Sequence, residues 1–174
     1  AVLRQDNHIM LRLTVRDLVA FGRYPHSHGR LSVADRDIIE QAIRQLDLEA
    51  LGDRYLDELS GGQRQRAFIA MVLAQETDYI LLDEPLSSLD IQKSVQMLRL
   101  FRKAADELSR TIVIVVHDIA FAANYADRIV AMRDGRIAAD GTPDEVIRSD
   151  VLEEIYGVPI GVHHVDGQRL LAYP

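Results

Sequence analysis

Asp83 and Glu84 stand directly after the apolar run 79–82 and before Pro85. A carboxylate at the tip of a hydrophobic strand suits a hard divalent cation such as Mg2+, and a second acid beside it can orient or deprotonate a water. The same pair also reads as two solvated acids at a strand end. Leu59-Ser60-Gly61-Gly62-Gln63 lies just ahead of eight consecutive apolar residues, 67–74. Two glycines and a serine at a helix start leave backbone N–H groups open to close approach. The helix dipole adds partial positive charge there, so a phosphate oxygen fits, as does a plain turn with a serine cap. Asp90, in Ser87-Ser88-Leu89-Asp90, can cap a helix. His117 closes the β-branched run 111–116 and can donate a hydrogen bond to a phosphate or serve the structure alone.

These groups need strands and helices to hold them. The run 79–82 and the run 111–116 read as two buried strands of a parallel sheet. Between them, Val95, Leu98, Phe101, Ala105 and Leu108 mark one face of a helix over 91–108. A short helix over 119–125 and a strand over 128–132 complete an alternating β-α-β-α-β pattern, which is an α/β parallel core, and a turn at Asp134-Gly135 leads to a further strand over 136–139. Ligands in such sheets bind beyond the carboxyl ends of the strands, where Asp83, Glu84 and His117 fall. Upstream, 13–58 reads as helical. Leu13, Val15, Leu18, Val19 and Ala20 form an amphipathic segment that stops near Gly22 and Pro25. Residues 24–31 read as a loop, and Ser32 with Asp35 caps a helix through Ile39, Ala42, Ile43 and Leu46. Thr142, Pro143 and Glu145 form another capping box. Asp166-Gly167 marks a hairpin turn.

The chain has 174 residues, 48% of them hydrophobic and 27% charged, which is the composition of about one globular domain. A net charge of -7 argues against a nucleic-acid binder driven by bulk charge. The absence of cysteine excludes thiol catalysis, disulfides and thiolate-bound zinc. His26 and His28 lack a carboxylate or thiol partner in their loop. His163 and His164 face opposite ways if they lie on one strand, so neither pair makes a metal site.

Taken in order, these motifs resemble the ATP-binding subunit of ABC transporters over nearly the whole chain. Leu59–Gln63 matches that family's signature motif, 80–84 its Walker B strand, 87–90 its D-loop, His117 its switch histidine and Gln5 its Q-loop glutamine. The resemblance implies a partial P-loop NTPase core with a parallel sheet plus a helical subdomain. It implies ATP and Mg2+ as ligands, Asp83 and Gln5 toward the metal, and Glu84 as catalytic base. Gln5 and His117 would stand around the γ-phosphate. Ser60, Gly61, Gly62, Gln63 and Asp90 would meet nucleotide held by a second, identical subunit. Residues 1–11 would belong to the nucleotide core, 12–58 to the helical subdomain that touches a transmembrane permease, 59–142 to the core again and 143–174 to C-terminal helices and a hairpin. A substrate-binding protein would take part indirectly, nucleic acid would not, and the subunit would sit at the cytoplasmic face of the membrane. The phrase 13–19 followed by Gly22-Arg23-Tyr24-Pro25-His26 looks like the ferric-siderophore, haem and cobalamin uptake branch.

No Gly-x-x-x-x-Gly-Lys-Ser/Thr occurs in the 174 residues, and lysine stands only at 93 and 103. The Walker A strand and loop that cradle the β- and γ-phosphates are therefore expected upstream of this stretch, and the 174 residues alone are expected to be inactive. Two other readings share parts of the pattern. A chromosome-maintenance or repair ATPase carries the same motifs but needs long heptads that 12–58 lacks. A non-catalytic interaction fragment needs no triphosphate cradle.

Overall fold

The computed structural model describes residues 1–5 and 11–174, which form two compact units, Ala1–Val115 and Val116–Pro174. In chain order the first contains β1 (Val2–Leu3), α1 (Val15–Phe21), α2 (Tyr24–Ser27), α3 (Val33–Gln45), 3-10 turns at Glu49–Leu51 and Leu56–Glu58, α4 (Gly61–Ala74), β2 (Tyr79–Asp83), α5 (Ile91–Leu108) and β3 (Thr111–Val115). The second contains α6 (Ile119–Tyr125), β4 (Ile129–Arg133), β5 (Arg136–Gly141), α7 (Pro143–Val146), α8 (Ser149–Tyr156), β6 (Gly161–Val165) and β7 (Gln168–Ala172).

The sheet of the first unit is parallel in the order β1-β2-β3, with Leu3 opposite Leu82 and Leu81 opposite Val113. The expected third strand over 128–132 is instead β4, paired antiparallel with β5 in the second unit, and β1 takes the third place in the parallel sheet. The reason is local. Only Asp134 and Gly135 separate β4 from β5, both at positive φ (51° and 72°). That is a two-residue hairpin turn, which imposes antiparallel pairing before any crossover can form.

The two apolar strands β2 and β3 are less enclosed than their sequences suggest. Ile80 and Leu82 are buried, but Leu81 and Val113 are 44% and 52% exposed on the opposite face. Helix α4 packs on β1 and α5 on β3, so one face of the sheet is covered, and a continuous apolar run cannot tell one covered face from two. On α5 the buried stripe is Ser94, Met97, Leu98, Phe101 and Ala104, one position back from the expected 95 and 105, and it ends before the expected 108, which is exposed. Residues 24–31 are not all loop: Pro25 sits in the first turn of α2, where its missing N–H has no role, and His28 and Gly29 end the turn at positive φ.

Helix α1 crosses α4 at Gly22, where a Cβ would lie 2.2 Å from the Met71 carbonyl oxygen, so only glycine permits the approach. The next residue, Arg23, is buried. Its Nε donates to Asp35 Oδ1 (2.9 Å), and Nη1 donates to the Ala74 carbonyl (2.8 Å) and to Glu76 Oε2 (2.9 Å). Asp35 is also the acid of the Ser32 capping box. Hydrogen bonds from the Ser32 hydroxyl and backbone, then from Arg23, lower its pKa from 3.8 to about 2. A carboxyl depressed in the folded state stabilises fully above its unfolded pKa and loses that contribution as pH falls through the folded value. Acid unfolding should therefore steepen between pH 3.8 and about 2, and Asp35→Asn should flatten that part of a stability-against-pH curve. Parallel curves for the two proteins would contradict the assignment.

The second unit is built around Ala123, Ile147, Leu152 and Ile160, with Ile119, Ile129, Val162 and Leu171 packed on them. The Thr142–Glu145 capping box forms, and Asp166-Gly167 turns β6 into β7 at φ 50° and 77°. No helix among the described residues is long and apolar enough to cross a membrane.

Candidate functional site at the carboxyl end of β2

Strand β2 delivers its last residue, Asp83, exposed at the carboxyl end of the sheet. The chain then turns at Glu84, whose φ is 48°, a left-handed conformation that costs a residue with a side chain on the order of 1–3 kcal/mol. Every backbone group of Glu84 is used to hold that turn. Its N–H donates to the Val115 carbonyl of β3 (3.2 Å), and its carbonyl accepts from the Ser87 N–H (3.3 Å) and hydroxyl (3.0 Å). Pro85 beyond it is fully buried, and its carbonyl accepts from Gln65 Nε2 of α4 (3.2 Å). The strained residue is therefore tied to β3, to the following turn and, through Pro85, to α4.

Gln5, just beyond β1, reaches the same place: its Nε2 donates to Glu84 Oε2 at 3.0 Å. Parallel pairing of β1 with β2 is what brings a residue 79 positions away onto this carboxylate. An amide aimed this way fixes the carboxylate's direction and leaves the Gln5 oxygen as an acceptor end that a cation could use.

Ser60 caps α4. Its Oγ accepts from the Gln63 N–H (3.3 Å), while Gln63 Oε1 accepts from the Ser60 N–H (2.9 Å). Gln63 is thus committed to a reciprocal cap. Gly62 packs on the 87–90 turn: a Cβ there would lie 3.1 Å from the Ser88 carbonyl oxygen and 3.4 Å from Leu89 Cδ2, while Gly61 stands about a full van der Waals contact from Ser88 Cβ (4.0 Å). Gly62 is packed tightly enough that an added Cβ would push the 88–89 turn by a few tenths of an ångström, and Gly61 stays exposed. Asp90 caps α5, with Oδ1 accepting from the Lys93 N–H at 2.8 Å. The cap role is real, and its carboxylate is partly spent on it.

The structure thus gathers Gln5, Asp83 and Glu84 at one end of the sheet. It sets Ser60–Gln63 against 88–89 at the N-terminus of α4. His117 lies two residues past β3, exposed, and belongs to the second unit, where Asp118 caps α6. Gln65, which braces the Glu84 turn through Pro85, carries no sequence signal that marks it, and Ser87 is marked only as the first residue of the 87–90 motif, not as a brace of Glu84. A lone glutamine in a helix and a serine in a turn are among the commonest surface residues.

Mg2+ takes octahedral oxygen coordination and usually keeps waters, with one or two protein ligands and substrate phosphates. An exposed Asp83 carboxylate and the Gln5 amide oxygen fit that donor set. The described residues hold no cluster of three or more acids or histidines that would bind a metal without help. The same end of the sheet fits the metal and water side of a nucleotide site, and the described residues there form no phosphate cradle.

The family model for ABC transporters matches residues 1–87. The petrobactin import ATP-binding protein YclP of Bacillus subtilis (strain 168) is 53% identical over 99% of this chain and 69% of its own length. FatE of Bacillus anthracis, also named for petrobactin import, is 58% identical over 92% of the chain and 64% of its own length. The ferric enterobactin transport protein FepC of Escherichia coli (strain K12) is 43% identical over 84% of the chain. The chain thus spans 55% to 69% of the length of these three relatives. A transporter assigned to the metal-chelate ABC type, solved facing inward, superposes with a TM-score of 0.86 at 25% identity over 99% of the chain and 70% of its own. A dimeric ATP-binding cassette solved with ADP and phosphate gives 0.74 at 30% identity over 82% of the chain and 62% of its own. Motifs, parallel sheet and relatives agree: the chain belongs to the ABC transporter family, among its ATP-binding proteins.

Proposed function

We propose that this chain is part of the ATP-hydrolysing subunit of an importer for an iron–siderophore or a related chelate. The observation that carries the reading is Glu84, held in a strained turn at the strand end with Gln5 on its carboxylate, in a chain whose relatives are named for siderophore import. Bound Mg-ATP would supply the γ-phosphoryl group and the cation that neutralises its charge. Asp83 and the Gln5 oxygen would hold the metal. The Glu84 carboxylate, aimed by Gln5 Nε2, would take the proton of the attacking water. His117 would donate a hydrogen bond to the terminal phosphate. Ser60, Gly61, Gly62 and Gln63, with Asp90, would close on nucleotide held by a second copy of the subunit. Residues 12–58 would meet the permease, and a substrate-binding protein would act through it. The subunit would lie peripherally on the cytoplasmic face. The subdomain limits 1–11, 12–58, 59–142 and 143–174 belong to the same proposal.

The dimer gives the test. In the chain extended upstream through a phosphate-binding loop, Gly62→Asp places a negative charge where phosphate is to sit. Nucleotide should still bind the monomer, while ATP-driven dimerisation, followed by light scattering, should fail. Gly62→Ala adds the same Cβ 3.1 Å from the Ser88 oxygen without charge and should weaken dimerisation less. Unchanged dimerisation of the Asp variant would refute the sandwich.

A further inference from the structure

We propose that Arg169, on the C-terminal hairpin, is a positioning residue for His117. The inference rests on the reading of His117 given above. His117 directly precedes Asp118, whose Oδ1 accepts from the Ala120 N–H (2.8 Å) and so starts α6. Helix α6 has seven residues, too few to hold its shape unaided, so its direction is set by what grips it. Its apolar grip is Ala123, in the core of the second unit, with Ile119 packed against the same core. Its polar grip is Arg169 of β7. The Arg169 N–H donates to Asn124 Oδ1 (3.0 Å), and Asn124 Nδ2 donates back to the Arg169 carbonyl (3.1 Å) and to the Ala120 carbonyl (2.9 Å). The guanidinium Nη1 donates to the Ala123 carbonyl (2.8 Å) and Nη2 to Asp144 of α7 (2.5 Å).

One residue therefore ties β7, α6 and α7 together. A cation also stands at the C-terminal carbonyls of α6, where the helix dipole favours it. The pairing lowers the Asp144 carboxyl below its usual range, chiefly through the hydrogen bond from Arg169, so the ion pair persists at neutral pH. Nε of Arg169 is buried without a hydrogen-bond partner, so the side chain is held by its outer nitrogens and its backbone. Without the guanidinium, α6 keeps its apolar contacts and the Asn124 pair with the Arg169 backbone but loses the bond to the Ala123 carbonyl and the tie to α7, so the helix shifts and the histidine at its start shifts with it.

The test is a double-mutant cycle in the chain extended upstream through a phosphate-binding loop. Arg169→Met should lower kcat about ten- to a hundredfold, the scale of a misplacement near 1 Å, with the KM for ATP nearly unchanged. In a His117→Ala background the same change should cost nothing further, because it acts through the missing side chain. Arg169→Lys, which reaches only part of the acceptor set, should restore part of the rate. If Arg169→Met does not fold, Asn124→Ala replaces it, with the same non-additivity expected. A folded Arg169→Met that hydrolyses ATP at the parent rate, or a loss that multiplies that of His117→Ala, overturns the link. Parent-level hydrolysis by His117→Ala overturns the reading of His117 itself.

Discussion

Glu84→Gln, made in the chain extended upstream through a phosphate-binding loop, is expected to abolish turnover while leaving ATP binding intact. Glutamine has the same length and the same Cβ, so the left-handed turn at φ 48° carries no new strain. The backbone bonds to Val115 and Ser87 do not involve the side chain and persist. The side-chain oxygen of glutamine still accepts from Gln5 Nε2, and Asp83 is untouched. What disappears is the only function an amide cannot perform here, acceptance of a proton from water. Removing a general base costs about 10²–10⁴ in rate. Single-turnover hydrolysis and nucleotide affinity, measured side by side, separate chemistry from binding. Hydrolysis within a few-fold of the parent would remove Glu84 from the base role.

A polypeptide of these 174 residues alone should neither hydrolyse Mg-ATP nor bind it with micromolar affinity. Backbone N–H groups of a glycine loop and one lysine supply most triphosphate affinity in P-loop enzymes, and no such loop occurs within the sequence. Its two lysines cannot stand in. Both lie on α5, Lys93 paired with Asp47 (3.3 Å) and Lys103 with Glu107 (3.7 Å). At the carboxyl end of β2, Asp83 and Glu84 repel an anion, and a net charge of -7 adds to the repulsion. The remaining anion-friendly place is the start of α4, where the cap uses the Ser60 and Gln63 N–H groups and leaves those of Gly61 and Gly62. Free phosphate or sulfate should therefore bind weakly there, if anywhere on the first unit. Calorimetry decides the matter: micromolar Mg-ATP affinity would mean that a different segment cradles phosphate.

The sequence by itself determined the chemistry-bearing motifs and most local structure. The Ser-Gly-Gly-Gln turn before an apolar helix, the acid pair after an apolar strand and the capping boxes at Ser32 and Thr142 are all written in contiguous residues. Side-chain type and short spacing suffice for such features, because the partners lie within one helical turn or one strand end. Local chemistry also set one pairing, since Asp134-Gly135 turns β4 back on β5 in antiparallel. Tertiary structure alone decided that a two-residue β1, with almost no sequence signal, joins the parallel sheet beside β2. The left-handed Glu84 and its Gln5 contact were equally invisible. Backbone strain is tolerated only where surrounding bonds over-determine it, and here, beside the local bonds from Ser87, they come from Gln5 beyond β1, from β3 and from α4, all distant in sequence. Burial differed for the same reason: a run of β-branched residues states that a strand is apolar, while the covering of one face or both depends on which helices arrive.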